Sequence, residues 1–93
     1  MIVVILRIVL FIGNSNSLKA KRMVLHSLKA RLRNRFNIAI CEIGDHDKWQ
    51  KTTLAIVGAQ KDKSYIDREF SKIINFVENF NQVSIVDYDT EML

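Results

Sequence analysis

The sequence predicts an α+β fold of the ferredoxin-like kind, a βαββαβ sandwich in which two helices cover one face of a four-stranded antiparallel sheet. Three observations carry that prediction. Strand-like and helix-like apolar periods follow one another in the order strand, helix, strand, strand, helix, strand. The two middle strands are separated by a polar stretch of about five residues, the spacing of an antiparallel hairpin. The 93 residues hold one domain (1–93), with no proline and only three glycines to mark a linker.

Residues 2–12 form the first strand. Ile2, Val4, Leu6, Ile8, Leu10 and Ile12 alternate with Val3, Ile5, Val9 and Phe11, which surround Arg7. A strand that is apolar on both faces is central, and its second face is expected to meet something. Gly13-Asn14-Ser15-Asn16 is turn chemistry, and Ser17 is an N-cap. Leu18, Leu25, Leu28, Leu32 and then Phe36 share a stripe on a helix from Leu18 to about Asn34, with Val24 beside them. The second strand covers 37–43, Gly44 to Lys48 is a polar connection, and Trp49 to Gly58 is the third strand. Asp62 or Ser64 caps the second helix, whose apolar face is Ile66, Phe70, Ile73, Val77 and Phe80. Val83 to Tyr88 is the last strand, leading into an acidic end with Asp87, Asp89 and Glu91.

Composition excludes several classes. Hydrophobic residues at 48% and charged residues at 26% exclude a disordered chain. Cys41 is the single cysteine, so a disulfide scaffold is excluded. The apolar opening 1–12 is too short to span a bilayer, carries Arg7 in its middle and lacks a small-residue cleavage site. Cytoplasmic location with no membrane association is therefore the expectation. A domain this small buries only about 60–65% of its unfolded surface, so it stands to gain stability by self-association.

The net charge of +4 conceals a division within the chain. Residues 1–36 hold eight Lys/Arg and no acid, whereas residues 37–93 hold six Lys/Arg and ten acids. Seven of the first eight lie on the first helix: Lys19, Lys21, Arg22, Lys29, Arg31, Arg33 and Arg35. Lys19, Arg22, His26, Lys29 and Arg33 follow helical spacing and form one stripe beside the apolar face. Cations in a first turn oppose the helix macrodipole by roughly 0.3–1 kcal/mol each, while the free N–H groups there suit an anion. The plain alternative is a solvated helix face balanced by the acidic second half.

Other constellations are weaker. Asp45-His46-Asp47 reads as a polar turn, since neighbours in a loop rarely converge on one ion, so no metal or cofactor is expected. Cys41, in an apolar strand without an adjacent base, reads as a buried inert thiol. Trp49 reads as a packing anchor, with a partner contact as the other reading. RNA-recognition domains of this topology stack bases on sheet aromatics, yet strand one offers only Phe11 and strand three runs Thr52-Thr53-Leu54-Ala55-Ile56-Val57, so the aromatic platform is missing. The open sheet face, with Val3, Ile5, Arg7, Val9 and Phe11, suits a second copy or a protein partner better. Arg7 would then need a carboxylate or carbonyl from across that interface. Acylphosphatase-like enzymes share the topology. They need a glycine-rich phosphate cradle with an arginine after strand one, and here a single glycine stands there, with Arg22 well inside the helix.

With these residues in view, the sequence resembles the YlxP-like family, small bacterial ferredoxin-like proteins without an established activity. The pieces that carry the likeness are Leu6-Arg7, Ser17-Leu18-Lys19-Ala20-Lys21-Arg22, Leu32-Arg33-Asn34-Arg35-Phe36-Asn37, and Asp45 followed by Trp49-Gln50. They cover nearly the whole chain in order. The family usually has Glu where this chain has Ala20, which removes the capping-box partner of Ser17 and leaves the first turn more positive. The resemblance implies an accessory role near translation, because members often occur beside translation genes, including that for ribosome-binding factor A; it supplies no active site.

The functional expectation is a non-enzymatic RNA- or ribosome-associated factor. It would hold the phosphate backbone through Lys19, Lys21, Arg22, Lys29, Arg33 and Arg35. The alternative is a homo-oligomeric scaffold using the sheet face, and acylphosphatase-like hydrolysis ranks third.

Overall fold

The computed structural model describes residues 1–93 and has the elements β1 (Ile2–Phe11), α1 (Leu18–Arg35), β2 (Ala39–Gly44), β3 (Lys51–Gln60), α2 (Lys63–Glu78) and β4 (Ser84–Met92). The strands lie in the order β2-β3-β1-β4, and every adjacent pair is antiparallel. This is the ferredoxin-like α+β sandwich that the sequence predicts. No helix is long and apolar enough to cross a membrane.

β1 organises the core because its alternation matches the pleat. Leu6, Ile8 and Leu10 are fully buried under the helices, and Leu6 and Ile8 sit opposite Ile56 and Leu54 of β3. Leu28 and Leu32 of α1 and Ile73 of α2 close the same core from above, each with no exposed surface. Burying each such side chain contributes about 1.5–3 kcal/mol relative to exposure. α2 lies down tightly at Gly58, where a Cβ would come within 3.3 Å of the Phe70 ring.

The helix ends follow the local chemistry. Ser17 caps α1, its hydroxyl oxygen accepting the Ala20 N–H at 3.0 Å. Asp62, rather than Ser64, caps α2; its carboxylate accepts the Tyr65 N–H, and the Ser64 hydroxyl donates to it at 2.7 Å. That hydroxyl is the main reason the Asp62 carboxyl sits below the usual range.

Three details depart from the expectations. The β2–β3 connection is longer, with Asp45 at a φ of 63°, so β3 starts at Lys51 and Trp49 lies outside it. Trp49 is 53% exposed, so it is not a buried packing anchor. Cys41 is also exposed, not buried. It pairs with Ala55 on the face away from the helices, between Ile40 and Glu42, which pair with Ile56 and Leu54. Finally, β4 continues through the acidic end to Met92.

A bulge at Val86 makes that continuation possible. Ile85 pairs with Leu10 and packs toward the core, whereas Asp87 pairs with Val9 on the open face. One extra residue reverses the parity, so Asp87, Asp89 and Glu91 all project away from the core. Without it, either Ile85 or the acids would point the wrong way.

Leu28 has no exposed surface and belongs to the central apolar cluster. Leu28→Ala is expected to cost about 3 kcal/mol, read as a lowered urea midpoint with an unchanged slope.

Candidate nucleic-acid interface

The cations of α1 divide into two sets that the sequence reading does not separate. Lys21 is 1% exposed. Its Nζ lies 2.9 Å from Glu42 Oε2 and donates to the Asp45 carbonyl at 2.6 Å. Lys21 is therefore removed from the predicted phosphate-contacting set, because its ammonium is turned inward and already partnered. The signal for this is present in the sequence: Lys21, Leu25, Leu28 and Leu32 are spaced 4, 3 and 4 apart, and these four are the buried residues of α1. Lys21 occupies the first position of the apolar stripe.

A polar network receives it at the β2–β3 end. Glu42 Oε2 also accepts the Thr52 hydroxyl at 2.6 Å, with Thr52 fully buried. Burial pushes the Glu42 carboxyl up, but the Thr52 hydrogen bond and then the Lys21 hydrogen bond and charge outweigh it and hold the carboxyl below its ordinary value. Asp45 is treated similarly: burial raises it, while the Thr53 hydroxyl and the charges of Lys51 and Lys48 bring it down. The Thr53 hydroxyl donates to Asp45 Oδ2 at 3.1 Å, and Lys48 and Lys51 stand 3.5 and 3.9 Å from its carboxylate. His46 Nε2 meets the Glu42 carbonyl at 3.0 Å. Asp45, His46 and Lys48 thus form a structural turn that braces the N-terminal half of α1.

The remaining six cations form the outer set. Lys19, Arg22, Arg31, Arg33 and Arg35 are exposed, and Lys29 is half-buried. All five ion pairs in the molecule belong to Arg7, Lys21, Lys48 and Lys51, so none of these six has a carboxylate partner. Arg33 donates one N–H to the Ile40 carbonyl at 2.9 Å. Arg31 and Arg35 lie over the Phe80 and Phe76 rings at 5.5 and 5.1 Å, an arrangement that leaves their edge donors free. Arg31 is missing from the predicted contact set; the sequence places it on the helix but does not show the Phe80 ring, just past the end of α2, that orients it. The first turn of α1 contains no acid.

The opposite face of the sheet holds Val3, Ile5, Arg7, Val9 and Phe11. The first four are half-buried and Phe11 is 44% exposed. Arg7 does not wait for a carboxylate from another molecule: Nη2 donates to Glu91 at 2.6 Å and Nη1 to Asp89 at 3.4 Å, both on β4. The Glu91 hydrogen bond and charge, followed by those of Asp89, hold the guanidinium above its ordinary range.

Residues 3–90 match the family described as protein of unknown function, DUF503. The chain belongs to that family. The uncharacterized protein YlxP of Bacillus subtilis (strain 168) is 33% identical over 72 residues, covering 77% of this chain and 78% of that protein. The resemblance read from Ser17 to Arg22 and from Leu32 to Asn37 agrees with that match. Among solved structures, the de novo designed protein Foldit4 has the same fold at a TM-score of 0.55 with 10% identity, covering 100% of this chain and 97% of that one. At that identity the likeness concerns fold alone. The family description carries no activity.

The buried pair yields a pH prediction. Glu42 sits below its unfolded value of about 4.3, so its contribution is complete above that pH and is lost as pH falls through the lowered folded value. Urea midpoints should therefore fall as the solution is acidified below about pH 5, and Glu42→Gln should flatten that limb. Lys21→Ala leaves Glu42 without its cation and should cost about 3 kcal/mol at neutral pH, with Lys21→Met costing less.

Proposed function

We propose that this protein is a non-enzymatic RNA-binding accessory factor that engages the phosphate backbone, free or in a ribosomal particle, through the outer face of α1. The observation that supports it is the set of six α1 cations without a carboxylate partner. Lys19, Arg22, Lys29 and Arg33 share one flank of α1 and span about 21 Å at 1.5 Å per residue, long enough to follow several phosphates, while Arg31 and Arg35 lie on the flank toward α2. Two of these cations, Lys19 and Arg22, stand near the helix end where the macrodipole disfavours them. An anion at that end relieves the conflict. Such contacts fix position without reading sequence.

Fluorescence anisotropy with a labelled RNA tests this reading. With about four phosphates contacted by a single strand, log K should fall by about 3 per decade of salt. Changing Lys19, Arg22, Lys29 and Arg33 to Glu should remove most of that slope and weaken binding at least about 100-fold at low salt. Salt-independent binding, or full retention by the charge-reversed protein, overturns it.

A second reading concerns the open sheet face, and it commits to a second copy of this chain. Strands of 10, 6, 10 and 9 residues, at about 3.3 Å per residue and about 4.8 Å apart, present roughly 560 Å² in projection, toward the lower end of the ~800 Å² per partner of a standard interface. Val3, Ile5, Val9 and Phe11 supply its apolar centre, and Asp87, Asp89 and Glu91 form an acidic margin along β4. A two-fold axis parallel to β1 sets each acidic margin against the partner's β2 edge, away from the other margin. Analytical ultracentrifugation should then show a dimer that Ile5→Asp or Val9→Asp dissociates, with folded monomers left because neither residue points into the core. A monomer at all accessible concentrations rejects this reading.

A further inference from the structure

The C-terminal part of α1 and the outer side of α2 enclose a cleft of about 430 Å³, lined by Arg35, Phe36, Lys72, Asn75, Phe76 and Asn79. Its chemistry is uneven in an informative way. Both charged residues are cations, no carboxylate lines it, and neither Arg35 nor Lys72 makes an ion pair. A metal ion or a basic ligand has nothing to bind there.

Planar groups accumulate along the same seam. The Arg35 guanidinium lies over Phe76 at 5.1 Å, and Arg31 lies over Phe80 at 5.5 Å. The two rings are 6.5 Å apart and inclined by 30°. Phe76 supports one face of the Arg35 guanidinium, and because Arg35 is exposed its other face is open to a flat partner. Guanidinium planes stack on nucleic-acid bases as aromatic rings do.

The amides add a polar edge. Asn79 Nδ2 donates to the Asn75 carbonyl at 2.7 Å and approaches Asn75 Oδ1 at 3.3 Å. The Asn75 NH₂ and the Asn79 Oδ1 have no partner in the fold, which leaves a donor and an acceptor one helical turn apart at the mouth of the cleft. A base edge offers the complementary pair. Lys72, one turn before Phe76, supplies a point charge for a phosphate.

We infer that this cleft holds one unpaired nucleotide of the RNA bound along α1. The base stacks on the outer face of Arg35, its edge meets Asn75 and Asn79, and its phosphate meets Lys72. This inference rests on the RNA-binding reading of α1, to which it adds a preference for single strands.

Anisotropy titrations of the full chain with a short single-stranded oligoadenylate and with a hairpin duplex of equal phosphate count test it. The double variant Asn75→Ala, Phe76→Leu should weaken single-strand binding about tenfold at every salt concentration. Its salt slope and its affinity for the duplex should be unchanged. Asn75→Ala alone, at an exposed helix position, should give a smaller loss of the same kind and guards against misfolding of the double variant. In the unmodified protein, AMP should shift the Asn75 and Asn79 side-chain amide resonances. Equal losses on both RNAs, or a loss on neither, overturn the cleft assignment and leave the α1 reading standing. AMP shifts without any selective loss on single-stranded RNA assign the cleft to a free nucleotide and overturn the RNA assignment. Absence of salt-dependent binding to either RNA overturns the α1 reading and the cleft with it.

Discussion

A lysine that is 1% exposed is stable only where its charge and its N–H donors are met, and Lys21 meets both conditions at the β2–β3 end of the sheet. This contact constrains the placement of α1 more tightly than leucine packing alone. The leucines would tolerate small rotations and slides of the helix. The Glu42 carboxylate and the Asp45 carbonyl lie within 2.9 and 2.6 Å of one nitrogen, and they do not. With Lys21 fixed inward, the neighbouring positions Lys19 and Arg22 are fixed outward. The exposed charge of the helix is therefore a consequence of the buried one.

The sheet beneath is held by a second constraint, the parity of β1. Its even-numbered residues must face the helices, so its odd-numbered residues, Arg7 among them, must face away. β4 reconciles itself to this through the bulge at Val86, which keeps Ile85 on the core side while turning Asp89 and Glu91 toward Arg7. An arginine in an apolar central strand is thereby satisfied within the chain. The acids that terminate the sequence act as a structural counterpart to β1.

Element order, the Ser17 cap, the α2 cap as one of Asp62 and Ser64, and the apolar face of α2 are legible in the sequence because each rests on local periodicity or on short-range hydrogen bonds. What is not legible depends on partners far along the chain. Lys21 looks like one cation among seven until Glu42 and Asp45 are brought beside it, although its place in the leucine spacing marks it as inward. The partners of Arg7 are 82 and 84 residues away, beyond a bulge that no local pattern announces. Cys41 and Trp49 are misjudged for a related reason: apolarity and β propensity suggest burial, but an edge strand with one uncovered face and a six-residue turn leave them exposed. The cleft residues Asn75 and Asn79 are silent in the sequence. They acquire meaning only from Arg35 across the helix seam.

The separation of charge follows from these engagements. Glu42 is bound to Lys21 and Thr52, Asp45 to Thr53, Lys48 and Lys51, Asp62 to the start of α2, and Asp89 and Glu91 to Arg7. Each of these acids serves a local structural need, and none of them reaches the outer face of α1. The remaining acid of the β4 margin, Asp87, lies on the far side of the sheet from both helices. Electrostatic cancellation in the sum of charges is thus not cancellation in space. On the helix side a polyanion meets the unpaired cations of α1, with the acids of that side, Asp67, Glu69 and Glu78, carried by α2, while the sheet side offers an apolar centre with an acidic margin. The two faces are opposed, so pairing through the sheet would leave both copies of α1 directed outward. The proposed pairing through the sheet and the proposed anion contacts of α1 therefore use different surfaces, and a dimer formed that way would carry its two α1 helices on opposite sides of one particle.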